Sequence, residues 1–136
     1  MEEFDSTFKD NELHVWNVKI TTKIAMQFAG QNNIRLEELI PDYLNAEQLI
    51  KIAWMGIQHH ADAKNFDYDD FLDLLEGEAI TSATQAASMA LINFTLRRVS
   101  EKNRVILHAR IQKRLDEEKE KNAEIAESGT TEPTVE

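Results

Sequence analysis

The chain has 136 residues, no cysteine and a formal net charge of −10. That length makes one domain plus a tail the natural expectation, and the missing cysteines exclude disulfides and thiol chemistry. The polar, acidic start MEEFDSTFKD lacks the order of a signal peptide, and no apolar run reaches membrane-spanning length, so the expectation is a soluble protein without a membrane partner.

Residues 1–12 read as a mobile arm, with Phe4 and Phe8 at helical spacing. From Leu13 to Ile20, Trp16, Val18 and Ile20 alternate with Asn17 and Lys19, the period of a half-buried strand. A lone strand needs a partner, either the arm folded back as a hairpin or another subunit. Thr21 and Thr22 can cap the next helix, whose apolar face is Ile24, Ala25, Phe28 and Ala29. Gly30 and the Gln31-Asn32-Asn33 run are expected to end it. Ile34, Leu36, Leu39 and Ile40 then predict a short helical turn before Pro41.

Asn45, with Gln48 three residues on, has the spacing of a capping box. The helix predicted over 46–59 carries Leu49, Ile50, Ala53, Trp54 and Ile57 on one face, with Ile52 and Met55 beside them. Apolar residues over more than half of its circumference mark it as the central helix. Gly56 lowers helix propensity by about 1 kcal/mol relative to alanine, so its presence points to close approach of another backbone. Asp67 caps a further short helix with Asp70 at the third position, packed through Tyr68, Phe71, Leu72, Leu74 and Leu75 and ended by Glu76-Gly77. An alanine-rich helix follows from Ile80 to about Val99, with Ala83, Ala87, Ala90, Leu91 and Phe94 along one side. Helical pattern resumes over 102–124, either as one continuous helix or as a hairpin broken near Ser100–Asn103. Residues 125–136 have the composition of a disordered acidic tail. The fold class is therefore mainly α: a small helical domain over 13–124 with one short N-terminal strand or hairpin and a long C-terminal helix or helical hairpin.

Charge is arranged in blocks. Residues 1–96 hold 16 acids against 6 bases, residues 97–114 hold seven bases against Glu101, and residues 115–136 hold 8 acids against 2 bases. The basic block can be read as a nucleic-acid footprint. Its bases spread around a helix, however, and no aromatic residue is interleaved for base stacking, so mutual neutralisation within the fold or between subunits is the preferred account. His59 and His60 point about 100° apart on a helix and lack the three or four convergent ligands of a metal site. Asn65, Asp67, Asp69, Asp73 and Glu76 match calcium-loop spacing, but Asp70 stands where that loop needs glycine. Neither a nucleophile elbow nor a phosphate loop is present. The reading is a binding protein rather than an enzyme, with no metal or other cofactor.

The run Leu49-Ile50-x-Ile52-x-Trp54-x-Gly56-Ile57-x-His59, a polar loop, then Tyr68-Asp69-Asp70-Phe71-x-x-Leu74-Leu75, resembles the core of tail assembly chaperones of long-tailed phages and gene transfer agents. The likeness covers roughly residues 13–77, with Val18 to Leu39 resembling that family's N-terminal part. It implies a non-catalytic protein of the host bacterial cytoplasm that binds the tape-measure protein, keeps it soluble and helps recruit tail-tube subunits. It also implies that a frameshifted extension can begin in the acidic tail. The long helical region over 79–124 departs from the family's shorter members. On this reading Trp54, Gly56, Ile57, Phe71, Leu74 and Leu75 are the scaffold. Ala83, Ala87, Ala90 and Phe94 are candidate contacts for the tape-measure protein, the tail-tube protein or a second copy of the chain, weighed against internal packing, the usual use of an apolar helical face. The alternative is a small regulatory protein that binds nucleic acid through residues 97–114.

Overall fold

Every second residue from Ser6 to Asp10 and from Trp16 to Ile20 is buried in the structure, a computed structural model that describes residues 3–129, with side chains through Lys121. Burial at period two is the signature of strand. The two runs pair antiparallel as β1 (Thr7–Lys9) and β2 (Val15–Asn17), with Phe8 opposite Trp16. The mobile arm expected over 1–12 is thus corrected from residue 4 onward, residues 1 and 2 lying outside the described residues. The helical spacing of Phe4 and Phe8 misled, because the operative pattern is Ser6, Phe8 and Asp10 facing inward. The arm itself supplies the edge that the Trp16 strand requires.

The connection between the strands is tightly held. Leu13 N–H donates to the Asp10 carbonyl at 3.0 Å, and Asn11 N–H donates to the Leu74 carbonyl at 2.9 Å. The Asn11 amide, turned so that its nitrogen faces the Glu76 carbonyl and its oxygen the Glu76 N–H, adds bonds of 3.1 and 3.2 Å. Leu13 adopts φ +66° and leaves 74% of its surface exposed. A left-handed conformation is costly for a branched L-residue with no local side-chain bond to support it. Replacing Leu13→Gly is expected to raise the unfolding free energy by up to about 1 kcal/mol, read as a higher urea midpoint with an unchanged slope.

Helix α1 (Thr22–Asn32) starts where Thr21 Oγ1 accepts from Ile24 N–H. It buries Ala25, Phe28 and Ala29 and runs through Gly30, ending at Asn33 in the left-handed conformation with φ 55°. Single 3-10 turns at Leu36–Glu38 and Pro41–Tyr43 follow, and only Leu39 of this segment is fully buried. Pro41 opens the second turn, where its missing N–H costs nothing. The central helix α2 (Ala46–Gly56) carries the expected Asn45–Gln48 capping box but ends at Gly56. His59 and His60 therefore lie past its end, before a 3-10 segment at Ala61–Asn65. Helix α3 (Tyr68–Asp73) has the Asp67–Asp70 capping box, and Gly77 turns the chain out of it at φ +60°.

The C-terminal helical region is two helices. Helix α4 spans Glu78–Arg98 and helix α5 spans Glu101–Gly129. The break at Val99–Ser100 is closed from within: Arg104 donates from Nε to the Leu96 carbonyl at 2.8 Å and from one terminal nitrogen to the Val99 carbonyl at 3.2 Å. Those are carbonyls that a helix end leaves without an intrahelical donor. Because α5 continues to Gly129, the tail expected from residue 125 is helical at its start, and residues 130–136 lie outside the described residues. The fold is mainly α, with the hairpin as its one sheet among the described residues.

The chain divides into a unit at Met1–Thr95 and a second at Leu96–Glu136. The first owns the continuous hydrophobic core, in which Phe8, Trp16, Val18 and Ile20 of the hairpin meet Phe28, Ile52, Ile57, Phe71, Leu75, Leu91 and Phe94. In the second unit, α5 leaves Val105 and Ile106 about half exposed, at 53% and 45%. Among the described residues, no helix is long and apolar enough to cross a membrane.

Candidate functional site

The residues that carry the sequence pattern converge where α2 meets the hairpin and α3. Gly56 is the tightest point. A β-carbon placed there would lie 2.5 Å from Val18 Cγ1, 3.2 Å from Ile20 Cδ1 and 3.2 Å from the Lys19 backbone nitrogen. Lys19 N–H donates to the Gly56 carbonyl at 2.9 Å, so the approaching backbone is that of residues 18–20. Ile57 is fully buried beside it, as is Phe71, and Leu74 and Leu75 of the following segment are buried. Trp54 is half-buried, its ring 5.2 Å from Phe71 and 6.0 Å from Tyr68 between centroids.

Lys51 Nζ sits 4.1 Å from the centre of the Tyr68 ring, a cation held over the negative face of the aromatic system. Burial raises the Tyr68 phenol above the ordinary tyrosine value, and the nearby carboxylates of Glu47 and Asp69 push in the same direction. Its proton is therefore released later in the folded chain than in the unfolded one. Stability from this group is complete below about pH 10 and falls as pH climbs toward the folded value. In an alkaline absorbance titration, Glu47→Gln is expected to shift this tyrosine's ionisation to lower pH than in the parent.

One constellation is absent from the sequence reading. The Asp10 carboxylate is buried and accepts four hydrogen bonds: from Trp16 Nε1 at 2.8 Å, His14 Nδ1 at 2.9 Å, Glu12 N–H at 2.9 Å and His14 N–H at 3.0 Å. The rings of His14, Trp16, Phe66 and His60 form a cluster with centroids 5.5–6.1 Å apart between neighbours. Asp10 lies in phase with Phe8 on the buried face of its strand run, which is the signal that would have found it. Asn93 is the second such residue. It is 4% exposed, and its amide donates to the Phe4 carbonyl and accepts from Phe4 N–H at 2.9 and 2.8 Å. It follows Ala86 and Ala90 at helical spacing, on the face read simply as small and apolar.

The two adjacent histidines both bond the backbone of the strand. His59 Nε2 donates to the Asn17 carbonyl at 2.8 Å, and His60 Nε2 accepts from Asn17 N–H at 3.0 Å. Among the described residues, no group of three histidine or acidic side chains is placed to hold a metal ion. The acids at 67 and 70 are used as reciprocal helix caps, Asp67 Oδ1 accepting from Asp70 N–H and Asp70 Oδ2 from Asp67 N–H.

No protein-family model, curated protein or solved structure matches the chain.

The candidate partner contacts are corrected. Ala83, Ala87, Ala90 and Phe94 are between 0% and 3% exposed and belong to the core of the first unit. Their small side chains admit neighbouring elements of the same chain, so that face is not available to a partner. In the basic block, Arg104 points its guanidinium at carbonyls at the end of α4.

Proposed function

We propose that this protein is a tail assembly chaperone of a long-tailed phage or gene transfer agent. It acts without catalysis in the cytoplasm of the host bacterium, where it binds the tape-measure protein, keeps it soluble and helps recruit tail-tube subunits. The observation that carries the reading is the Trp54-x-Gly56-Ile57 … Phe71-x-x-Leu74-Leu75 pattern. It is supported by the structural use of its members: Gly56 against residues 18–20, and Trp54 against Phe71. A pattern whose residues depend on one another is a stronger mark of common architecture than one scattered over a surface.

With the alanine face buried, the partner surface in this reading is drawn from exposed apolar residues of the first unit. Leu13 and Val15 on the hairpin are 74% and 57% exposed. Such residues can engage the apolar stripe of an amphipathic helix, and the net charge of −10 keeps a poorly soluble partner dispersed. Co-expression with the tape-measure protein of the same genome is expected to raise that protein's soluble fraction and to recover both in one pull-down. Unchanged solubility and no co-purification would remove the reading.

A further inference from the structure

Backbone groups cannot exchange donor and acceptor roles, and at Asn17 this fixes the protonation of two side chains. Asn17 stands opposite Thr7 in the hairpin, and its N–H and C=O are both taken by imidazoles from beyond α2. His59 Nε2 meets a carbonyl and must carry a proton. His60 Nε2 meets an N–H and must be a bare lone pair, so its ring is neutral with the proton on Nδ1. We propose that His59 and His60 form an acid-released latch on β2, closed only while His60 is neutral. Protonation of His60 sets an N–H against the Asn17 N–H, and the bond is lost.

The surrounding groups sharpen this. The His59 ring centre is 4.4 Å from that of His60, so a charge on both is repulsive. The C-terminal end of α2, which closes at Gly56 just upstream, attracts positive charge to either ring. At His59 that charge is compatible with the bond it makes; at His60 it is not. Across Trp16 lies Asp10, with His14 donating to it at 2.9 Å, and protonation of His14 strengthens that pair instead of breaking it. Asp62 and Lys64, on the turn that follows, are both exposed to water. Lys19, two residues beyond Asn17, is also exposed, and its backbone N–H is committed to Gly56. His60 is thus the group in this cluster whose folded bond excludes a proton. Since the released state binds one more proton than the latched state, acid favours release. Release leaves the Asn17 peptide as an uncovered strand edge, the kind of surface to which an extended segment can add.

The test is amide exchange at Asn17 in the full chain, followed by NMR as protection relative to the intrinsic rate. Between pH 8 and 5 the protection is expected to fall, by up to about tenfold per pH unit, the limit set by uptake of one proton on release. His60→Gln keeps an acceptor without a titrating group and is expected to hold protection level across the range, whereas His59→Gln and His14→Gln keep the acid-dependent loss. Constant protection in the parent down to pH 5 would overturn the latch, and so would a His60→Gln variant that loses protection as the parent does. Neither result bears on tape-measure binding, so the latch and the chaperone reading fail separately.

Discussion

Gly56→Ala is expected to destabilise the first unit by about 2–3 kcal/mol, lowering the melting temperature by roughly 10 °C for a chain of this size. The direction is opposite to that of an ordinary helical glycine. In an open helix the change to alanine is worth up to about 1 kcal/mol of added stability. At Gly56 the new methyl would sit 2.5 Å from Val18 Cγ1, and neither Val18 nor Ile20, each 2% exposed, has room to yield. Relief requires residues 18–20 to move off α2, which also stretches the bond from Lys19 N–H to the Gly56 carbonyl. Gly30 supplies the internal control. It lies within α1, and a methyl added there would meet nothing within 4 Å, so Gly30→Ala is expected to stabilise by up to about 1 kcal/mol. Opposite signs at the two glycines, read from urea midpoints, would establish that contact rather than propensity decides at Gly56. A Gly56→Ala variant within about 0.5 kcal/mol of the parent would show that residues 18–20 are not rigidly seated.

How much of this is legible in the sequence follows from what each signal depends on. Capping boxes are local, and both Asn45–Gln48 and Asp67–Asp70 are readable because two side chains and two backbone N–H groups within four residues define them. Gly56 is readable as a close approach because glycine inside an apolar helical run has few other uses, although the partner backbone is not. The Trp16–Val18–Ile20 alternation reveals β2 and its need of a partner, for which the arm folded back as a hairpin is one of two candidates, while the pattern of β1 itself is hidden. Its inward residues are Ser6, Phe8 and Asp10, and two polar members of three conceal the period. Their burial is permitted by hydrogen bonds, Ser6 Oγ to the Val18 carbonyl across the hairpin, and Asp10 to the Trp16 indole and to the turn donors of Glu12 and His14. The alanine face of α4 fails as a binding surface for a related reason. Small residues report that something comes close, and sequence does not say whether the visitor belongs to the same chain. The break between α4 and α5 has a local mark, Ser100 Oγ accepting from Asn103 N–H at 3.4 Å, while the reach of Arg104 back to the carbonyls of Leu96 and Val99 does not show in the sequence.

Asp10→Ala tests the least legible of these features and is expected to cost about 3–4 kcal/mol. The Asp10 side chain has no exposed surface, against 39% for its partner His14, so water does not simply replace it. Of the four donors it receives, Glu12 lies at the exposed turn and can turn to solvent. Trp16 Nε1 cannot, because Trp16 is 2% exposed, and an indole N–H left buried without an acceptor carries the full desolvation penalty. Asp10→Asn separates the contributions. An amide oxygen at the Oδ1 position still accepts from Glu12 and His14 N–H, but the nitrogen at the Oδ2 position faces the indole N–H donor to donor. An intermediate loss of about 2 kcal/mol is expected. The decisive comparison adds Trp16→Phe to Asp10→Ala. Trp16→Phe deletes the orphaned donor, so the double variant should be more stable than the sum of the single losses by about 1–2 kcal/mol. Strict additivity would show that the carboxylate acts on the turn alone and that its bond to the indole contributes nothing.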